Sequence, residues 1–177
     1  MHALQAKGRT ALKVQKWRTL VSVAWFIWIL DVATKVWAVN QLSNRDSVKV
    51  LGSFFQLTYV RNSGAAFSLA PNATLLLSLF GTVVLISIIY YAPKVDSKGW
   101  SVVLGLVMGA ILGNLTDRIF RAPGFLRGHV VDWMQLPHWP IFNLADSAIV
   151  VAAGVSMILT ARNISPISKR GSYDGQS

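Results

Sequence analysis

Four stretches of this chain are almost purely apolar, and each is long enough to matter. They lie near Thr19–Val39, Asn72–Ala92, Trp100–Phe120 and Ile141–Ala161. A helix needs about 20 residues to cross roughly 30 Å of hydrocarbon, so the pattern predicts four membrane-spanning helices. The connections between them differ in character. The one between the second and third spans is short. The first, Asn40–Pro71, is too long for a simple turn. Within it "VKVLGSFFQLTYV" alternates β-branched and aromatic residues with polar ones around Gly52 and Ser53, which predicts a small sheet or hairpin lying on the membrane surface. The fold class expected is therefore an all-α polytopic membrane protein, with a small β element in its first outward loop. Trp17, Trp37, Trp100, Trp133 and Trp139 fall at or near the predicted span ends, as interfacial anchors do.

Composition supports this picture. Of 177 residues, 53% are hydrophobic and only 14% charged, against about a quarter charged in a soluble domain. There is no cysteine, which removes disulfides, a thiol nucleophile and thiolate metal sites. There is no glutamate either, so an HExxH metalloprotease is excluded. The net charge of +10 would suit nucleic acid, but the basic residues cluster at the ends of apolar segments, which is a topology signal. Lys7, Arg9, Lys13, Lys16 and Arg18 precede the first span, Lys94 and Lys98 lie between the second and third, and Arg162, Lys169 and Arg170 follow the fourth. With four spans these share one side, which the positive-inside rule makes cytoplasmic. The division expected is a basic cytoplasmic segment at 1–18, a four-helix membrane domain at 19–161 and a cytoplasmic tail at 162–177. Asp31 and Lys35 interrupt the first apolar run and no small-residue cleavage site follows it, so an uncleaved span is expected rather than a signal peptide.

Polar groups stand where hydrocarbon makes them expensive. "DVATK" puts Asp31 and Lys35 at i and i+4 on one face. Each costs about 2.5–3.5 kcal/mol at a helix centre, which some ten large apolar residues barely offset. The pair should face other helices, either as an orienting ion pair or in chemistry. In the third span Gly105, Gly109 and Gly113 recur every four residues and predict close helix packing. Asn114 and Arg118 follow at i and i+4, with Asp117 beside them. Arg118 either caps the helix and reaches the interface, or holds a carbonyl or carboxylate with its forked donors. In "FNLADS", Asn143 and Asp146 are three apart and should project from one helix face, Asp146 about 7 Å below the outer end. That depth brings Asp146 within reach of Asp132 in "GHVVDW". It is either a packing hydrogen-bonder or half of an acid pair. In "RNSGAAFS" the residues Gly64, Ala65 and Ala66 suit close approach of an extended peptide, or a tight turn into the second span.

The stretches "DVATK", "RNSGAAFS", "GNLTDR", "GHVVDW" and "FNLADS", in this order and spacing, together resemble the bacterial lipoprotein signal peptidase family (signal peptidase II). The resemblance covers nearly the whole chain outside its two tails. It implies four spans with both termini inside and a catalytic aspartate dyad at Asp132 and Asp146. It places supporting or substrate-binding residues at Asp31, Lys35, Asn62, Asn114, Arg118 and Asn143, and the small-residue motif at Gly64, Ala65 and Ala66. The implied substrate is a diacylglyceryl-modified prolipoprotein, cut just before the lipidated cysteine by a water that the dyad activates. The implied location is the bacterial cytoplasmic membrane, with the site near the extracytoplasmic face. No cofactor, metal or nucleic acid is expected; the partners are the prolipoprotein and membrane lipid, and the monomer is the expected working unit. His129 and His138 are expected to be structural. The connection "RIFRAPGFLRG" from Arg118 to Gly128 is longer than the family leads one to expect. Two rival readings remain: a serine, Ser63 or Ser147, with Lys35 as base, and a small transporter or proton channel using the intramembrane Asp, Lys and Arg.

Overall fold

The computed structural model describes residues 2–64 and 73–167, with side chains from residue 15 onward. Its elements in chain order are α1 (His2–Leu42), β1 (Val48–Leu51), β2 (Phe55–Asn62), α2 (Ala73–Tyr91), α3 (Lys98–Phe120), β3 (Val130–Gln135) and α4 (Leu144–Ala161). A short 3₁₀ turn at Ala92–Lys94 links α2 towards α3. Four segments are long and apolar enough to cross a membrane: Gln15–Leu42, Ala73–Lys94, Lys98–Phe120 and Leu144–Ala161.

The four spans are those the apolar pattern predicts, with two corrections of boundary. The helix of the first span runs back without a break to His2. The fourth begins at Leu144 rather than Ile141. Pro140 is thus not in its first turn. Phe142 instead pairs with Met134 of β3 as an isolated bridge, which keeps the chain extended up to the helix start. Asn143 is consequently the N-cap of α4, in extended conformation, and not a residue on its face. Asp146 lies in the first turn, so the expected depth of 7 Å was too great.

α3 is the central helix and packs on α1, α2 and α4. The glycine spacing explains how closely it approaches α1. A Cβ built on Gly105 would stand 2.7 Å from Leu20 O, and one on Gly109 2.6 Å from Ala24 O, while one on Gly113 would collide with the Asp31 carboxylate. Removing three side chains lets the two backbones touch. Ala110 of α3 packs with Ala145 and Ala148 of α4 in a second small-residue contact. The outer faces stay apolar and bare, with Phe26, Phe80, Val83 and Val150 more than half exposed, as a lipid-facing surface requires.

The predicted hairpin is present, with Gly52 at φ +58° in its turn. A third strand not foreseen extends it: β3 pairs antiparallel to β2, giving the order β1-β2-β3. The register sets Val60 opposite Asp132 and Asn62 opposite Val130. This sheet is fastened to the end of α1 by Val131, which is buried with Ala38 and Leu42. Trp133 lies in β3, its ring 5.6 Å from that of Trp37 near the end of the first span. At the opposite end of the bundle Lys16 pairs with Asp96 at 2.7 Å, and the indole of Trp100 donates to Ile164 O. The start of the first span, the link between the second and third, and the end of the fourth therefore meet at one end, with the sheet at the other.

Candidate active site

Nearly all the polar side chains buried inside the bundle gather beside the sheet. Asp31, Lys35, Asp132 and Asn143 are each 2% exposed or less. Two come from α1, one from β3 and one from the start of α4, and three asparagines connect them. In each asparagine the amide is oriented by what its oxygen accepts.

Lys35 has only donors. Its Nζ donates to Asn114 Oδ1 at 2.9 Å, so the Asn114 NH₂ faces away from the cation, towards Asp146 Oδ1 at 3.3 Å. Asn62 Oδ1 accepts the Gly64 N–H at 2.8 Å, and its NH₂ donates to Asp132 Oδ2 at 2.8 Å. Asn143 Oδ1 accepts the Asp146 N–H at 3.0 Å. Its NH₂ then donates to Asp132 Oδ1 at 2.7 Å and to Asn114 Oδ1 at 3.2 Å. The backbone N–H of Asn143 completes a capping box by donating to Asp146 Oδ2 at 3.1 Å. One residue, Asn143, thus binds both carboxylates, and every one of the four carboxylate oxygens has a fixed donor. The capping motif that starts α4 is also the hinge of this arrangement.

Asp31 holds the same helix start from another side. Its Oδ1 accepts the Ala145 N–H at 2.9 Å, satisfying an amide that the first turn leaves without a partner. Its Oδ2 pairs with Lys35 at 2.7 Å. Asp31 and Lys35 are thus an ion pair on one face of α1. Lys35 also reaches Asp117 Oδ2 at 3.0 Å. Asp117 was not among the expected site residues. It is 3% exposed, pairs with Arg121, and accepts the N–H of Val131, the neighbour of Asp132, at 3.1 Å. An acid inside an apolar span, one turn past Asn114, was the signal that could have found it.

Arg118 is 7% exposed and does not reach out to the interface. Its Nη1 donates to Gly128 O at 3.2 Å, so the carbonyl-holding alternative applies. Gly64 has φ +99°, and a Cβ there would stand 2.7 Å from Leu77 and 3.8 Å from the Arg118 guanidinium, so it combines backbone strain with close approach. Ala65 and Ala66 lie outside the described residues. A cavity of about 410 Å³ opens between α2, α3 and α4, lined by Leu77, Gly81, Ile111 and Ile149, with Asn114 and Arg118 at its polar end.

Burial raises the Asp132 carboxyl from its ordinary value of 3.8 to about 6, with the charge of Asp146 adding to the rise and the Asn62 and Asn143 donors opposing it. Ser147 Oγ donates to Asn143 O within its helix, and Lys35 is held between two carboxylates, which makes a serine–lysine pair a poor fit. Among the described residues, no group of three or more His, Asp, Glu or Cys side chains is placed to hold a metal.

The family model described as signal peptidase (SPase) II matches residues 23–162. The chain belongs to the signal peptidase II family. It is 44% identical to the lipoprotein signal peptidase of Leifsonia xyli subsp. xyli over 98% of this chain and 81% of that one. It is 42% identical to the lipoprotein signal peptidase of Mycobacterium leprae over 87% of this chain and 77% of that one. A solved bacterial membrane enzyme matches its fold with a TM-score of 0.72 and 27% identity, covering 82% of this chain and 94% of the other. Members of the signal peptidase II family are proteases, and the chain is a multi-pass membrane protein of that family.

Proposed function

We propose that this chain removes the signal peptide from diacylglyceryl-modified prolipoproteins, cutting just before the lipidated cysteine, by water attack between Asp132 and Asp146. The observation that carries this reading is the sharing of Asn143 by both carboxyls in a buried site. Two carboxyl groups bound to one residue resist ionising together, so in this reading the pair holds one proton. The raised pKa of Asp132 fits a pair that titrates as a unit and keeps one proton. The ionised partner then takes a proton from the water, with Asp146 in the first turn of α4 near the positive end of the helix dipole. The protonated partner donates to the scissile carbonyl as its oxygen gains charge. Asp31, Lys35, Asn62, Asn114 and Asn143 hold the two carboxyls in place, Asp117 reinforces them, and Arg118 lies beside the cavity through which lipid and peptide arrive. Gly64 leaves room for an extended substrate, and Ala65 and Ala66 complete the small-residue motif in the sequence.

The site lies at the sheet end of the bundle, which we place at the extracytoplasmic face of the bacterial cytoplasmic membrane, with both termini cytoplasmic. Acyl chains remain in lipid while the peptide bond meets the carboxyls near the interface. The membrane domain, residues 19–161, contains every group the reaction uses, so a monomer suffices.

The test is incubation of the purified protein with a diacylated prolipoprotein and with its unlipidated form. Cleavage of the first alone supports the reading. Asp132→Asn and Asp146→Asn should each abolish cleavage while the protein still folds in membranes. Turnover in either variant above about a thousandth of the parent rate would overturn general acid–base catalysis by the pair.

A further inference from the structure

The connection between α3 and β3, residues 121–129, takes no part in the proposed chemistry, yet it is tied down along its length. Its own backbone closes it: Arg127 N–H donates to Gly124 O at 2.9 Å, Gly128 N–H to Arg118 O at 3.0 Å and His129 N–H to Ala122 O at 3.1 Å. Side chains from two other elements clamp it. Ser78 Oγ of α2 donates to Leu126 O at 2.7 Å, and Arg61 Nη2 of β2 donates to Ala122 O at 3.2 Å. A loop held at so many points presents a fixed face.

That face is apolar and bare. Phe120 is 80% exposed and Phe125 71%, with exposed Ala122 and Pro123 between them. A mobile loop could fold two rings away from water; this one cannot. Phe120 is the last residue of α3, so the patch continues the surface of a membrane span. The charge of the loop has one sign. Arg121 and Arg127 flank the rings, and no acid lies between Arg118 and Val131. Arg121 pairs with Asp117 but keeps 28% of its side chain exposed. Aromatic rings beside arginines at the end of a span match the boundary between acyl chains and anionic headgroups.

We propose that residues 120–127 form a rigid hook that seats Phe120 and Phe125 in the lipid leaflet at the sheet end of the bundle, with Arg121 and Arg127 among the phosphates of anionic lipid. The hook is bonded to Arg118 through Gly128 O, so its seating sets the height of the cavity mouth relative to the bilayer. A second copy of the chain is a poorer occupant, because a two-fold contact would bring this basic face against itself. The proposal does not depend on the peptidase chemistry.

The chain has no cysteine, so Ala122→Cys gives one nitroxide site between the two rings. The labelled full-length protein is reconstituted in vesicles of phosphatidylcholine with phosphatidylglycerol. The label should be more accessible to oxygen than to a nickel chelate, like a label at Phe80→Cys on the lipid-facing side of α2 and unlike one at Asp46→Cys in the exposed turn before β1. Adding Phe120→Ser and Phe125→Ser should move the label to the aqueous side. In phosphatidylcholine alone it should lie shallower. Chelate accessibility with both rings present overturns the hook. A label that remains in lipid without the rings overturns their role, and equal depth in both lipid mixtures overturns that of the arginines. Dipolar broadening that disappears on dilution with unlabelled protein would identify a second copy as the occupant, and equally overturns it.

Discussion

Asp132 is the residue whose titration the surroundings bend most clearly outside the spans. Its carboxyl rises to about 6 chiefly because it is buried, and the donors from Asn62 and Asn143 hold it below where burial alone would put it. The sign follows from which state is favoured. A folded-state pKa above the ordinary 3.8 means that protonation favours the fold. This group's contribution to stability is full below about pH 4 and is lost as pH rises through about 6. Under the proposed mechanism the pair must keep one proton, so kcat/KM of the free enzyme should fall on the alkaline side with an apparent pKa near 6 that belongs to the pair. Asn62→Ala removes a donor that favours the charged form, and the alkaline limb should move to higher pH. A pH–rate profile whose limb stays put or moves down in that variant would contradict the account. Asp31, Lys35 and Asn114 were readable in the sequence, because polar groups in apolar spans are costly and therefore conspicuous, whereas Asn62 lies in a strand and was marked only by the family resemblance of its motif. Their partners were not readable. That Asn143 caps α4 instead of lying along it depends on Phe142 bonding to Met134, across a sheet whose third strand has no alternating pattern of its own to announce it.

At the scale of elements, the bundle depends on how closely α3 lies against α1, and that approach is set by the absence of side chains. The glycine spacing was legible in the sequence because a four-residue period of small residues has one common meaning in a membrane. Which helix it faces was not, since period fixes a face but not its neighbour. Gly109→Ala should destabilise the protein by about 1–3 kcal/mol, because the new methyl would stand 2.6 Å from a backbone oxygen of α1 that cannot yield without moving the helix. Gly154→Ala in α4 is the control: nothing lies within 4 Å of its Cβ position, and no loss is expected. Thermal unfolding of both variants in the same detergent compares them. Equal midpoints would mean that α1 and α3 are not in backbone contact. The same contact carries the site, since Gly113 leaves the space that the Asp31 carboxylate fills. A shift of α3 would therefore disturb Asp31, Lys35 and the start of α4 together.

For the whole molecule, the arrangement of charge decides which end faces which compartment. The end away from the sheet gathers Lys16 and Arg18 of α1, Lys94 and Lys98 of the second connection, and Arg162 after α4. The basic residues nearer the chain termini add to it in the sequence. The sheet end also carries basic residues; of these Arg118 is buried on Gly128 O, Arg121 is paired with Asp117, and Arg61 donates to Ala122 O, while Arg45 and Lys49 are exposed. Five acids, Asp31, Asp46, Asp117, Asp132 and Asp146, stand at that end as well. By the positive-inside bias we propose the terminal end for the cytoplasm, which would put the proposed carboxyl pair where exported proteins emerge. Single cysteines test this directly in a chain that has none. A cysteine at Asp46, in the exposed turn before β1, should react with a membrane-impermeant maleimide in intact bacterial spheroplasts. A cysteine at Lys94, in the turn between α2 and α3, should react only after the membrane is opened. The reverse pattern would place the sheet, the cavity and both aspartates on the cytoplasmic side, beyond the reach of a substrate that has already been exported and lipidated there.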